Sequence, residues 1–245
     1  TRYVTLAGES IPKDDKSVWR AVGRDKAYLR SMGVSDRPGK SSINPDVIKP
    51  YCDNKKSSRP CDLRYWGVPN QICAAYEENG VTALHDWQAE CLSIPGVVNE
   101  GRSIVYVAPT SGGKSLVAEI LMLRSFLFRA QRALLILPYV SICSEKAAQL
   151  SDQWSSAGVR VSAFFANSDS SWHPGVDVAI CTIERANSLI KKLIEESVMA
   201  DQVGLVVIDE LHILADESRG YLLELIALKI QMLNRKYQAR IQIVG

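Results

Sequence analysis

The feature that most constrains this chain is the stretch from Ser103 to Phe128, where an apolar run, a turn of small residues and an amphipathic run follow without a break. The apolar run SIVYV (Ser103–Val107) has the length and β-branched content of a buried strand. The turn is Ala108-Pro-Thr-Ser-Gly-Gly-Lys-Ser115, and Ser115–Phe128 reads as a helix. Further apolar runs then alternate with helical patterns. Strands are expected at Ala133–Leu137, Val159–Phe164, Val176–Cys181, Leu205–Asp209 and Ile241–Val244. Helices are expected at Ser141–Ser155, from Ile183 to about Glu196, and at Tyr221–Leu233. Such alternation predicts an α/β fold, a mostly parallel sheet with helices on both faces. Two short helices precede it, Val68–Tyr76 and one capped by Asp86 that runs to Leu92.

The turn between strand and helix carries chemistry. Gly112 and Gly113 let the main chain curl so that successive N–H groups point inward, at the amino end of a helix that favours anions. This is the context of a phosphate-binding P-loop, with Ala108 standing where the strict pattern has glycine. Ala108, Pro109, Thr110, Ser111, Gly112 and Gly113 would wrap a triphosphate. Lys114 would reach its terminal phosphates, and the Ser115 hydroxyl would bind Mg²⁺. Ninety-five residues beyond Lys114 (209 − 114), the run LVVID ends in Asp209-Glu-Leu-His212. A carboxylate at the carboxyl end of a parallel strand stands at the edge where α/β ligands bind, so Asp209 is suited to the Mg²⁺ shell. Glu210 is suited to orient or deprotonate the attacking water, with Lys114 as the other group acting on the reacting phosphates. His212 would relay the nucleotide state. ATP and Mg²⁺ are the cofactors expected.

With APTSGGKS and DELH in place, the chain resembles the first motor domain of a superfamily 2 DExH helicase, a RecA-like P-loop NTPase domain. The resemblance is greatest to the Ski2-like DNA helicases, the group that includes the helicase domain of DNA polymerase theta and its stand-alone helicase relative. It rests also on DWQAECL (Asp86–Leu92), LVAEILMLR (Leu116–Arg124), LPYVSICSEK (Leu137–Lys146), CTIERANSLI (Cys181–Ile190) and SRGYLLEL (Ser218–Leu225), and it covers about Leu63 to Gly245. Position by position, the resemblance implies that Gln88 reads adenine. It implies that Pro138, Ser141 and Lys146 touch the phosphates of the tracking strand, and that Thr182 and Ile183 do so at a helix start. Glu184 in the same motif cannot bind phosphate by charge and is expected to cap. Arg219 and Gly220 match an Arg-Gly pair expected to be structural. In the family a Ser-Ala-Thr coupling motif and a second RecA-like domain, with an arginine finger, follow the position of Gly245. A glycine that the family usually places near Ala166-Asn167-Ser168 is missing, so no contact is assigned there.

The implied activity is an ATP-dependent DNA helicase or translocase, with 3′ to 5′ movement on single-stranded DNA and a role in DNA repair. A Ski2-type RNA helicase would share the same chemistry. This half alone is expected to turn over weakly, because the arginine that stabilises transition-state charge comes from the second domain. A small-molecule P-loop kinase would need neither the DELH box nor strand-contacting motifs, and a dead nucleotide module would not need Lys114, Asp209 and Glu210 intact.

Charge and composition bound the remainder. Residues 1–60 hold 13 Lys/Arg and 7 Asp/Glu, a net +6, against 16 and 20, a net −4, for residues 61–245. With five prolines and no sustained period, residues 1–61 read as a basic, largely disordered leader, and 62–245 as the ATP-binding domain. No apolar run approaches the roughly 20 residues that span a bilayer, so no membrane partner is expected. The six cysteines show no C-x-x-C spacing, which fits reduced thiols in an intracellular protein, nuclear in a eukaryote. Trp172 is expected to anchor its loop, with base stacking as the other reading.

Overall fold

The strands that the apolar runs predict form one parallel sheet. The structure, a computed structural model, describes residues 59–245 apart from 110–111, 166–171 and 174. In it β1 is Arg132–Leu137, β2 Val161–Phe164, β3 Val178–Thr182, β4 Val203–Ile208 and β5 Gln242–Val244. They lie in the order β2-β3-β1-β4-β5, all parallel. The run SIVYV joins the edge beside β5, although regular pairing is confined to a bridge at Ile104 opposite Val244. There Ile104 N–H donates to Ile243, Gly245 N–H to Ile104, and Tyr106 N–H to Gly245, each to the main-chain oxygen at 3.0–3.1 Å.

The helices are α1 (Asn70–Glu78), α2 (Asp86–Ser93), α3 (Lys114–Arg129), α4 (Val140–Trp154), α5 (Ile183–Glu195), α6 (Met199–Gln202) and α7 (Gly220–Tyr237). Asp86 is the first residue of α2, and His85, in extended backbone, occupies the cap position expected of Asp86. The short α6 carries no apolar period of its own and was not expected.

Alternation along the strands explains the layers. Ala133, Leu135, Leu137, Val178, Ile180, Leu205 and Val207 face a core shared with α1 to α4. Leu134, Ile136, Ala179, Cys181, Val206, Ile208 and Ile243 face a second core with α5 to α7. Successive strand residues point to opposite faces, so a run apolar throughout needs both covered. Each fully buried aliphatic side chain contributes about 1.5–3 kcal/mol. Among the described residues no helix is long and apolar enough to cross a membrane.

Because every strand is parallel, every strand ends at the same edge. Asp209 continues the β4 ladder by donating its N–H to Ile136 at 3.0 Å. Leu137 and Thr182 are register partners at the ends of β1 and β3. The turn 108–115, Pro138–Ser141, Thr182–Ile183 and Asp209–His212 therefore share one rim.

Candidate nucleotide site and nucleic-acid edge

Gly113 is the hinge of the turn. It caps α3 with φ +74°, the left-handed region that glycine enters without strain, and a Cβ there would meet the Gln88 amide nitrogen at 2.7 Å. A Cβ on Gly112 would meet the Pro109 carbonyl oxygen at 2.9 Å. The main chain thus curls as the glycines predict; Thr110 and Ser111 lie outside the described residues. The Lys114 ammonium donates to the carbonyls of Ala108 and Pro109, both at 3.3 Å, so it sits inside the curl. The first turn of α3 holds no acidic side chain, which leaves its amino end open to an anion.

A cavity of about 610 Å³ opens at this rim, lined by Ala108, Lys114, Ser115, Asp209, Glu210 and His212 among others. The groups that the sequence separates by 95 residues thus converge. Glu210 has φ +56° and ψ +47°, a conformation that costs a non-glycine residue roughly 1–2 kcal/mol. Its N–H donates to the Asp209 carboxylate at 3.0 Å, and its own carboxylate lies 3.1 Å from His212 Nδ1. The box is therefore wound tightly.

Ser115 and Asp209 suit a magnesium ion. Among the described residues no three His, Cys, Asp or Glu side chains cluster as a protein-only metal cage. Magnesium characteristically takes one or two protein oxygens and fills its octahedron with phosphate oxygens and water. A hydroxyl and a carboxylate on an open, phosphate-directed cavity provide that donor set.

Gln88 and Lys146 are both held by partners within the domain. Gln88 is 1% exposed; its amide donates to the Gly113 carbonyl at 2.7 Å and accepts the His85 N–H at 2.7 Å. As the third residue of α2 it bonds back to the helix start, so both ends of its amide are engaged within the protein and it braces the turn. Lys146 donates to Glu119 at 2.5 Å and to Gln149 at 3.1 Å, so its charge is paired within the domain. Glu119, 4% exposed, also accepts the Tyr76 hydroxyl at 2.6 Å, and Tyr76 in turn accepts Trp154 Nε1–H at 3.2 Å. A buried carboxylate demands partners, and Lys146 satisfies it.

The remaining edge residues divide. Ser141 is exposed at the start of α4, and Thr182 is half-buried at the cap of α5. The Ile183 side chain is buried in the second core, leaving only its main chain for the rim. The Pro138 carbonyl accepts Arg219 at 2.8 Å. Glu184 pairs with Arg219 at 2.7 Å and also accepts its own N–H and the Thr182 hydroxyl at the start of α5, so it caps and pairs at once. Trp172 is buried, donates to the Val176 carbonyl at 3.0 Å and lies under Arg132, so it is a loop anchor. Sequence reading also missed Tyr106, whose hydroxyl donates to the Lys114 carbonyl at 2.8 Å and fixes the first turn of α3. Only its place at the end of the SIVYV run hinted at it. Burial pushes the Cys73 and Cys91 thiols up to about 12, so neither is a nucleophile near neutrality.

The family model for the DEAD/DEAH box helicase matches residues 87–245. The chain belongs to that family. The chain is 46% identical over 175 residues to DNA polymerase theta of Mus musculus, covering 71% of this chain and 7% of that protein. It is 35% identical over 250 residues to the Helicase POLQ-like protein of Drosophila melanogaster, covering 98% and 23%. It is 32% identical over 161 residues to the ATP-dependent DNA helicase Hel308 of Thermococcus kodakarensis, covering 65% and 14%. The chain thus spans less than a quarter of each of these relatives. Among solved structures, the helicase MrfA superposes with a TM-score of 0.59 at 19% identity, over 72% of this chain and 28% of that one, a likeness of fold. The helicase domain is therefore of the Ski2-like kind that the motifs resemble.

Proposed function

We propose that this chain is the ATP-binding half of an ATP-dependent helicase or translocase that moves on single-stranded DNA, 3′ to 5′, in DNA repair. The observation that carries the reading is the convergence of Lys114, Ser115, Asp209 and Glu210 on one cavity at the amino end of α3. Family membership supports helicase chemistry, and relatives named as a DNA polymerase and an ATP-dependent DNA helicase favour DNA over RNA. An intracellular, and in a eukaryote nuclear, location goes with that substrate.

The residues divide the work. The main chain of 108–113 and the amino end of α3 hold phosphate oxygens, and Lys114 neutralises charge at the terminal phosphates. Ser115 and Asp209 would hold Mg²⁺, which supplies charge neutralisation on the transferring phosphoryl group. Glu210 accepts a proton from, or orients, the attacking water. His212, beside Glu210, passes the change on toward the strand-facing rim. An arginine from a second RecA-like domain would complete the site, so residues 62–245 alone should hydrolyse ATP weakly.

The test is ATP hydrolysis by the full-length protein with single-stranded DNA, with RNA and with neither. Stimulation by DNA above RNA is the expected result. Stimulation by RNA alone would make it an RNA helicase, and indifference to both would remove it from motor function.

A further inference from the structure

Three segments meet around one side chain. Directly after the DELH box the chain forms a short 3₁₀ turn, Leu211–Ala215, and then the start of α7. The Asp216 carboxylate accepts the Ser218 N–H at 2.8 Å, the Ser218 hydroxyl at 2.6 Å and the Arg219 N–H at 3.0 Å. Gly220 is buried so closely that a Cβ would collide with the Leu214 carbonyl. Residues 211–220 are thus one fixed block hung on Glu210. From that block Arg219 reaches across the rim. Its Nε donates to Glu184 at 2.7 Å, at the start of α5, and a terminal nitrogen donates to the Pro138 carbonyl at 2.8 Å, at the end of β1. The guanidinium also lies 5.9 Å from the centre of the exposed Tyr139 ring.

We propose that Arg219 is a positioning residue: it locks the two strand-facing segments, Pro138–Ser141 and Thr182–Glu184, in register with the Asp209–Glu210 box. The inference rests on the helicase reading above and adds the device that joins its two halves. β3, β1 and β4 are consecutive in the sheet, so the clamp spans the three strand ends that carry these segments. A planar guanidinium is the group for this task. It offers two donors in fixed directions, one for a carboxylate and one for a carbonyl, where an ammonium is a single point charge. Arg219 does not itself line the cavity, and its guanidinium hydrogen bonds go to Glu184 and to the Pro138 carbonyl. Its effect is to aim other groups.

The experiment uses the full-length protein and a fluorescent oligothymidylate. Arg219→Lys keeps the charge and loses the fork. Hydrolysis without DNA and the KM for ATP should stay near wild type, while the oligothymidylate concentration for half-maximal stimulation rises about tenfold, as expected when aligned groups lose their register. Glu184→Gln keeps the hydrogen-bonding shape, sits on an exposed side chain that folding tolerates, and should shift the same midpoint by a smaller factor. An unshifted midpoint in both variants overturns the clamp. So does a parallel fall of basal and stimulated turnover, which marks a structural role only. Wild-type hydrolysis that ignores oligothymidylate would instead sink the helicase reading on which the clamp depends.

Discussion

The side-chain amide of Gln88 donates to the carbonyl of Gly113 across 2.7 Å, pinning the turn before α3 to the first turn of α2. Gln88 is buried and its other end is held by His85, so it supports the shape of the turn. Gln88→Ala should therefore raise KM for ATP and for GTP by similar factors. Losing a buried hydrogen-bond partner costs about 1–3 kcal/mol, and each 1.4 kcal/mol is about tenfold in an equilibrium constant. Side-by-side KM values for the two nucleotides check this. A rise confined to ATP would restore the adenine-reading role.

The Lys146–Glu119 pair is nearly closed to solvent, with side-chain exposures of 17% and 5%. Removing one member of such a pair strands the other, at about 3–5 kcal/mol. Lys146→Met should lower stability by about that amount, and adding Glu119→Gln should recover most of it, because the glutamine can still accept the Tyr76 hydroxyl. Urea denaturation of the single and double variants measures both. A double variant as unstable as the sum of the singles would contradict the pairing.

Gly220→Ala should destabilise by about 1–3 kcal/mol, since the new Cβ meets a main-chain oxygen that cannot swing aside. The obstructing atom is the Leu214 carbonyl, and it belongs to the turn that follows Glu210. A lowered Tm with reduced turnover is expected in the full-length protein; an unchanged Tm would show that the turn is loose.

The clamp also has a pH signature. Partial burial pushes the Glu184 carboxyl up, but hydrogen bonds from Arg219, from its own N–H and from Thr182 outweigh that and hold it below its ordinary value of 4.5. A carboxyl depressed in the folded state stabilises above its unfolded value, and that contribution disappears as pH falls through the folded one. Wild type should therefore exceed Glu184→Gln in stability near neutrality, with the gap closing below pH 4.5. Thermal melts across that range check it. A constant gap would mean the pair acts through shape alone.

What the sequence made legible follows from what it encodes locally. Periodicity located β1 to β5 and α3, α4, α5 and α7 to within a few residues, because apolar runs and caps are read from near neighbours. That Lys114, Ser115, Asp209 and Glu210 would line one cavity was legible because their motifs stand at the carboxyl ends of apolar runs. Gln88, Lys146 and Arg219 were harder. Their partners stand 25, 27 and 81 residues away, respectively, in Gly113, Glu119 and Pro138. A lone polar residue on a helix reads the same from sequence whether it faces phosphate or a buried carboxylate. The left-handed backbone of Glu210 was invisible for the same reason: the tertiary structure imposes it on a residue that does not favour it.

Glu210→Gln in the full-length protein, with ATP binding and single-stranded-DNA-stimulated hydrolysis measured on the same preparation, tests the central claim most directly. Lys114, Ser115 and Asp209 remain, so the affinity for ATP should stay close to wild type while turnover falls by about 10²-fold or more, as expected when the water-activating carboxylate is lost. Hydrolysis at the wild-type rate would contradict the assignment of this cavity as the site of chemistry.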